Sequence, residues 1–209
     1  MEKLILSGNE AIARGAYDAG AVVGAGYPGT PSTEILENLK NYEGVYTEWS
    51  VNEKTAFEAG IGSSAAGART LVTMKHVGLN VAADPLFTAA YIGVKAGLVV
   101  VCADDPAMHS SQNEQDSRHY AVAAKVPMLE PADSQEAYDF TRAAFELAER
   151  YDTPVILRSV TRVSHGKSVV VAGAPRETFP GRPGFERNAK KWVMIPAYAR
   201  LRHVEVEKR

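Results

Sequence analysis

The segment at residues 97–104, with the sequence GLVVVCAD, is apolar almost throughout and constrains the fold more than any other part of the chain. A strand whose two faces are both apolar has to be covered on both sides, which is typical of a central strand in a parallel sheet. Shorter segments of similar character occur at 21–26, 44–47, 70–75 and 154–159. Segments of helical character separate them. This alternation predicts an α/β fold, a three-layer parallel sheet with helices on both faces.

The helices between these strands carry the usual start and stop signals. We predict them at residues 8–19, 33–39, from 53 through a run of small residues, 79–90, and from Asp133 or Ser134 to 150. Asn9 is a candidate N-cap for the first of them, and Pro85 is expected to kink the fourth or reset its start. Asp133 or Ser134 is expected to cap the last.

The bulk composition excludes several classes of protein. At 209 residues and a formal charge of −2, the chain has ordinary apolar and charged fractions, so neither nucleic acid nor an anionic membrane is expected as its main partner. The sequence has no apolar run long enough to span a membrane, and its N-terminus does not resemble a signal peptide, which favours a cytoplasmic location. Cys102 is the only cysteine, so the chain cannot form an internal disulfide or supply a cysteine-ligated iron–sulfur cluster.

The character of the chain changes after about residue 163. Turn-rich segments at 173–177 and 180–184 are not expected to add to the core, and a basic, helical segment follows them to Arg209. We therefore predict one domain over residues 1–165. Residues 166–209 are predicted to form a linker or tail that leads to a further domain.

Glu53 begins the helix of small residues, directly after a predicted strand. A helix rich in glycine forms poorly alone, because each glycine costs about 1 kcal/mol relative to alanine. Such a helix is useful where a sheet, another subunit or a flat cofactor must approach its backbone closely. A carboxylate there can accept a hydrogen bond from a ring nitrogen. The simpler alternative is an acidic residue favoured by the helix dipole.

Four loops follow strands of the predicted sheet and are expected to meet at its carboxyl edge. They are residues 27–32 (YPGTPS), residues 52–53, residues 75–80 (KHVGLN), and the long loop at 104–118. The first can equally be a rigid turn with Ser32 as a helix cap, and Lys75 can be a solvated boundary residue. The sequence has no glycine-rich phosphate loop, no metal-ligand spacing and no nucleophile elbow.

Several segments, in this order, resemble one family closely. They are GNEAIARGA (8–16), YPGTPS (27–32), EWSVNEK (48–54), MKHVGLN (74–80), DDP (104–106), HSSQNEQD (109–116) and TRVSH (161–165). The chain is similar to the N-terminal pyrimidine-binding (PYR) domain of the alpha subunits of indolepyruvate-type enzymes. These belong to the thiamine-diphosphate-dependent 2-oxoacid:ferredoxin oxidoreductases.

This resemblance implies a role for individual residues. Glu53 would hydrogen-bond the pyrimidine ring nitrogen N1′, and Thr30 would approach both cofactor and substrate. Lys75 and His76 replace the Ser-Gly of the Thr-Ser-Gly-Pro-Gly loop of pyruvate-type relatives and are hypothesised to face the substrate. The remaining candidates are Pro28, Gly29 and Asn80 for the cofactor and His109 for the substrate.

The resemblance also implies what the complete enzyme does. It would oxidatively decarboxylate arylpyruvates to aryl-acetyl-CoA, with coenzyme A and ferredoxin as further reactants. The diphosphate and Mg²⁺ would be held by a domain absent from this chain. Iron–sulfur clusters would lie in other missing parts, and a beta subunit would be a partner. The chain alone is expected to be inactive, and to form a dimer or larger homo-oligomer through the small-residue helix.

Two alternatives stay open at this point. One is a non-catalytic interaction or regulatory homologue that keeps the fold, and the other is an unrelated nucleotide-binding domain. The absence of a glycine-rich phosphate turn disfavours the second. Arg158, Arg162 and His165, at the end of the last core strand, can bind an anion or pack against the tail.

Overall fold

A computed structural model describes residues 2–174 and 184–209. The strands in this part of the chain are β1 (Glu2–Ser7), β2 (Val23–Gly26), β3 (Tyr46–Trp49), β4 (Thr70–Lys75), β5 (Leu98–Asp104), β6 (Met128–Leu129), β7 (Val155–Val160) and β8 (Lys167–Ala172). The helices are α1 (Gly8–Asp18), α2 (Thr33–Leu39), α3 (Glu53–Ala65), α4 (His76–Val81), α5 (Ala83–Ile92), α6 (Arg118–Ala124), α7 (Ser134–Tyr151), α8 (Thr161–His165), α9 (Ala189–Trp192) and α10 (Pro196–Lys208).

Six of the strands form one parallel sheet in the order β3-β2-β4-β5-β7-β6. The centre of this sheet is β5, which is buried along its whole length and pairs with β4 on one side and β7 on the other. Helices flank the sheet: α1 packs against α2 and α7, and α3 packs against α4 and α5. The predicted α/β fold with a parallel sheet is therefore confirmed.

Some helix boundaries differ from the predicted ones because of local hydrogen bonding and proline placement. Ser7, not Asn9, caps α1, because its side chain accepts from the Glu10 N–H while the Glu10 carboxylate accepts from the Ser7 N–H. The single helix predicted at 79–90 is two helices, α4 and α5, which separate at Ala82. Pro85 lies in the first turn of α5, where a missing N–H costs no helical hydrogen bond. Asp133 caps α7, as one of the two predicted options.

A second, two-stranded sheet lies outside the sequence prediction. In it β1 pairs antiparallel with β8, from Glu2 opposite Ala172 to Ser7 opposite Lys167. Val170 and Ala172 of β8 are fully buried and belong to the core cluster. The predicted domain boundary at 165 stays a prediction, but core residues continue beyond it.

The described tail packs onto the domain through several hydrogen bonds, and the Asp152 carboxylate accepts more than one of them. Asp152, at the end of α7, accepts hydrogen bonds from Lys191 Nζ at 2.8 Å, Arg202 Nη2 at 2.9 Å and the Val94 N–H at 2.9 Å. Burial opposes the ionisation of Asp152, but these donors more than offset it and lower its pKa. The two turn-rich segments predicted at 173–177 and 180–184 lie mostly outside the described part of the chain, which leaves out residues 175–183.

The carboxyl edge of the parallel sheet is where the candidate loops meet. Strand β2 leads into residues 27–32, β3 into α3 with Glu53 at its start, β4 into α4 with His76 at its start, and β5 into the loop at 105–117. Since all these strands are parallel, the four loops leave the sheet at the same edge.

Candidate functional site

Glu53 is the first residue of α3, and the structure buries it. Asn52 caps the helix, its side chain accepting from the Thr55 N–H at 2.9 Å. Glu53 itself is 9% exposed, and its carboxylate lies so close to Gly78 that a Cβ there would be 2.6 Å from Oε1. Within residues 2–174 and 184–209 this carboxylate makes no hydrogen bond or ion pair. Its acceptor capacity therefore stays available to a bound group.

The loop at 27–32 is held in place by the side chain of Asn9, in helix α1. The Asn9 amide donates to the Pro31 carbonyl at 2.8 Å and to Glu34 Oε2 at 3.1 Å. Within the loop, the Gly29 N–H donates to Thr33 Oγ1 at 2.9 Å. Ser32 makes no cap to α2, and its hydroxyl instead donates to the Gly29 carbonyl at 2.7 Å. The loop is a fixed turn that presents an exposed Thr30, with Pro28 also exposed.

Lys75 ends β4 and crosses over this turn. A Cβ on Gly29 would lie 3.0 Å from Lys75 Cδ and 3.1 Å from Cγ, so the glycine leaves the room that the lysine stem occupies. The ammonium nitrogen reaches the Ser110 carbonyl at 3.4 Å. The side chain is half-buried. Lys75 is thus directed across the carboxyl edge of the sheet, and it is not a freely solvated boundary residue.

His76, the next residue, lies in the interior and is 1% exposed. Its Nε2 is 3.1 Å from the Asn113 carbonyl oxygen, which can only accept, so Nε2 carries the proton. Its buried Nδ1 has no partner among the described residues. This environment favours contact with the loop at 105–117 over contact with a substrate.

The two remaining candidates lie at the surface. His109 is exposed within the loop at 105–117. Asn80 is exposed near the end of α4, and its amide oxygen accepts from the Tyr120 hydroxyl at 2.7 Å. In the described part of the chain, no hydrogen bond joins either residue to Glu53 or Thr30.

Arg158, which the sequence left unassigned, is a buried ion-pair residue. Its Nε donates to Asp104 Oδ2 at 2.7 Å, and its Nη1 donates to Glu130. Arg162 and His165 are exposed.

A cavity of about 490 Å³ opens beside the Arg158–Glu130 ion pair, and none of the predicted site residues lines it. Its walls are formed by Pro106, Glu114, Gln115, Asp116, Arg118, Glu130, Arg158 and Val160.

Three residues shape the site in ways that the sequence analysis did not predict. Asn9 holds the 27–32 turn, Gly78 leaves space for Glu53, and Asp105 organises the loop that follows β5. The signals were indirect: Asn9 lies at a helix start, where it suggests a cap, and Asp105 is one of two adjacent acidic residues. Only the fold shows which groups these residues face.

Other kinds of site find no support in the described part of the chain. No group of three or more His, Cys, Asp and Glu side chains there is placed to hold a metal ion. Cys102 is buried, and burial, together with the nearby Asp104, raises the pKa of its thiol. No described helix has the length and apolar character that a membrane crossing requires.

The fold and this edge define a class of protein. The family of the pyruvate flavodoxin/ferredoxin oxidoreductase thiamine diphosphate-binding domain matches residues 14–190, and the chain belongs to it. A solved 2-oxoglutarate:ferredoxin oxidoreductase from Magnetococcus marinus shares the fold, with a TM-score of 0.82 over 98% of this chain and 44% of that one, at 19% identity.

Within the family, the chain is similar to indolepyruvate oxidoreductase subunit IorA. It is 52% identical to the subunit from Archaeoglobus fulgidus, over 99% of this chain and 34% of that protein. It is 50% identical to the subunit from Methanothermobacter thermautotrophicus, over 97% of this chain and 33% of the relative. The 2-oxoglutarate synthase subunit KorA of Methanothermobacter marburgensis is 33% identical over 78% of this chain. The chain thus spans about a third of the length of the IorA proteins it matches.

Proposed function

We propose that this chain supplies the pyrimidine-binding half of a thiamine diphosphate site in an enzyme that oxidatively decarboxylates arylpyruvates. The single observation that carries the proposal is the Glu53 carboxylate. It is buried at the start of a helix, packed on a glycine, and without a partner among the described residues. An isolated buried carboxylate is costly unless something pairs with it.

The residues present fit the aminopyrimidine half of the cofactor. Glu53 would accept a hydrogen bond at N1′ and hold a proton there, because its negative charge raises the basicity of the ring. Pro28, Gly29 and Asn80 are the other candidates for contact with this half of the cofactor. When bound, thiamine diphosphate supplies the electron sink that loss of carbon dioxide from a 2-oxo acid requires.

Thr30 and Lys75 are proposed to bind the 2-oxo acid. Thr30 is exposed on a turn that Asn9 fixes, and the Lys75 stem crosses the same turn in the space that Gly29 leaves. A cation beside the substrate carboxylate would orient it and stabilise negative charge that develops during the reaction. His109, exposed on the facing loop, is a further candidate for substrate contact, whereas the buried His76 is better placed to hold that loop.

The rest of the site and of the activity is proposed to come from outside this chain. A further domain or partner would bind the diphosphate and Mg²⁺, and iron–sulfur clusters elsewhere in the enzyme would pass electrons to ferredoxin. Coenzyme A would take up the acyl group, giving an aryl-acetyl thioester. The proposal of indolepyruvate-like substrates rests on the similarity to IorA over nearly the whole chain.

The test is a titration with thiamine diphosphate and Mg²⁺ of this chain alone and of the complete enzyme that contains it, as wild type and as Glu53→Gln. Glutamine keeps the shape of the side chain but removes its charge. We expect cofactor binding in the complete enzyme and a loss of arylpyruvate turnover of roughly 10²-fold or more in Glu53→Gln.

Glu146→Gln is the matched control. Glu146 is exposed in the last turns of α7, which lead to the amino end of β7, so it lies at the opposite edge of the sheet. Turnover by Glu53→Gln that equals the control would show that Glu53 does not serve the cofactor. An enzyme that binds no thiamine diphosphate under any of these conditions would favour the non-catalytic homologue.

A further inference from the structure

Asp105, directly after β5, is a buried carboxylate that organises the loop at 105–117. Asp105 is 1% exposed. Its Oδ2 accepts from the Ser110 N–H at 2.8 Å and from the Ser111 hydroxyl at 2.7 Å, and its Oδ1 accepts from the Thr161 hydroxyl at 2.6 Å. The carboxylate therefore closes the start of the loop on itself and ties it to the residue that follows β7.

The loop needs such an anchor because its backbone is strained. Ala107 and Met108 have φ angles of 64° and 53°, in the left-handed region that residues with a Cβ rarely adopt. The Met108 N–H donates to the Asp105 carbonyl at 3.0 Å, and the Ala107 N–H donates to Glu114 Oε2 at 2.7 Å. Strained turns of this kind persist only where surrounding contacts hold them.

The anchored loop lies over the proposed substrate residues. The Ser110 carbonyl accepts from Lys75 Nζ, and the Ser110 hydroxyl donates to the Thr30 carbonyl, both at 3.4 Å. On the other side of the loop, His76 Nε2 donates to the Asn113 carbonyl at 3.1 Å. Ser110 thus bridges the two candidate substrate residues, and Asp105 fixes the position of Ser110 through its N–H.

We infer that Asp105 is a positioning residue for the 2-oxo acid: it holds the 105–117 loop so that Ser110 fixes Lys75 against the 27–32 turn. The inference rests on the proposed function. Asp105 itself has its oxygens occupied by Ser110, Ser111 and Thr161, so it acts through the loop and not on the substrate. Loss of the anchor is expected to weaken use of the substrate while leaving the cofactor in place.

The experiment compares Asp105→Asn with wild type in the complete enzyme. One amide oxygen cannot accept from the donors on both sides, so the loop should loosen. We expect KM for the arylpyruvate to rise and kcat/KM to fall by roughly 10- to 100-fold, since small misplacements cost that much. The Kd of thiamine diphosphate should stay within about twofold, because Glu53 lies on helix α3 and shares no hydrogen bond with Asp105. Hydrogen exchange of the backbone amides at 107–116 should accelerate.

Two matched comparisons separate anchoring from general damage. Asp116→Asn changes an exposed carboxylate in the same loop whose hydrogen bonds come from Arg118 and not from Ser110 or Thr161, and substrate use should stay as in wild type. Thr161→Val removes the hydroxyl donated to Asp105 and should reproduce part of the effect, whereas Thr161→Ser keeps it and should not. The Thr161 pair also tests the inference if Asp105→Asn does not fold.

The outcomes distinguish this inference from the proposal it rests on. Unchanged KM in Asp105→Asn, in an enzyme whose wild type is active, would overturn the inference alone. Unchanged hydrogen exchange in the loop would also overturn it, because Asp105 would then not hold the loop. A wild type without thiamine-dependent turnover would overturn the proposed function and the catalytic role of Asp105 with it.

Discussion

Replacing Gly78 by alanine is predicted to displace the Glu53 carboxylate without unfolding the chain. A Cβ at position 78 would lie 2.6 Å from both Cγ and Oε1 of Glu53 and 2.9 Å from Cδ. Ordinary van der Waals contact begins at 3.4 Å, so the carboxylate has to retreat by at least 0.8 Å, the difference between 3.4 and 2.6 Å. A hydrogen bond to a ring nitrogen does not survive such a shift with good geometry.

The cost to stability should be small for two reasons. The close contacts are with side-chain atoms of Glu53 and not with backbone, and alanine in a helix is favoured over glycine by about 1 kcal/mol. We therefore expect the free energy of unfolding to change by no more than about 1 kcal/mol. A misplacement near 1 Å can cost about 10²-fold in rate, and we expect a loss of that order in arylpyruvate turnover.

Gly60→Ala is the matched control, because it places a Cβ of similar overlap into the core. That Cβ would lie 2.5 Å from Val72 Cγ2 and 3.2 Å from Leu98 Cδ1, atoms that are buried and cannot retreat. Overpacking of this kind typically costs 1–3 kcal/mol, so urea denaturation should separate the two variants by about that much. Isothermal titration with thiamine diphosphate should give the opposite order: cofactor affinity should fall in Gly78→Ala and stay near the wild-type value in Gly60→Ala. Wild-type cofactor affinity and turnover in Gly78→Ala would refute the reasoning.

Three further outcomes follow from the structure. Asp152→Asn should loosen the tail, because it removes the charge that Lys191 and Arg202 bind, although their bonds to the carbonyls of Val94 and Tyr91 remain. Trypsin should then cleave within 191–209 faster, and an unchanged rate would contradict this. Ala59→Leu on the exposed face of α3 should leave the fold intact but weaken any assembly across that helix, at about 1–3 kcal/mol, and light scattering at the wild-type size would contradict this. Folding lowers the pKa of Asp105, so its contribution to stability is present above about pH 4 and is lost as the pH falls toward its native value. The gap in unfolding free energy between wild type and Asp105→Asn should therefore shrink below about pH 4, and a gap that is constant with pH would contradict this reading.

The sequence predicted the parallel sheet well because the signal is local. The buried segments at 70–75 and 97–104 agree with β4 and β5 to within one residue at each end. The β1–β8 sheet was missed because its pairing joins the two ends of the domain. The residues of β1 are exposed or half-buried, so its apolar face is only weakly marked. Helix α1 follows β1 and helix α8 precedes β8, so no hairpin turn joins the two strands.

The candidate site was predicted as a set of loops, but not as a set of contacts. Parallel topology brings the carboxyl ends of the strands together, so the four loops could be expected at one edge. The burial of His76 could not be predicted, since its neighbour Lys75 is half-buried and nothing in the local pattern separates them. The docking of the tail on Asp152 depends on a helix-end carboxylate meeting two cations far along the chain.

Two glycines explain why the charged groups at this edge are held where they are. Gly29, in the YPGTPS turn, has an ordinary φ, and Gly78 lies inside a helix, so neither is needed for its backbone freedom. Each instead leaves the space that a charged side chain occupies: the Lys75 stem over Gly29 and the Glu53 carboxylate against Gly78. A helix interior disfavours glycine by about 1 kcal/mol, so Gly78 is a local cost that close approach of the carboxylate offsets. The sequence pattern shows these glycines as turn and helix residues, while the structure shows that they set the positions of the two charges that the proposed chemistry uses.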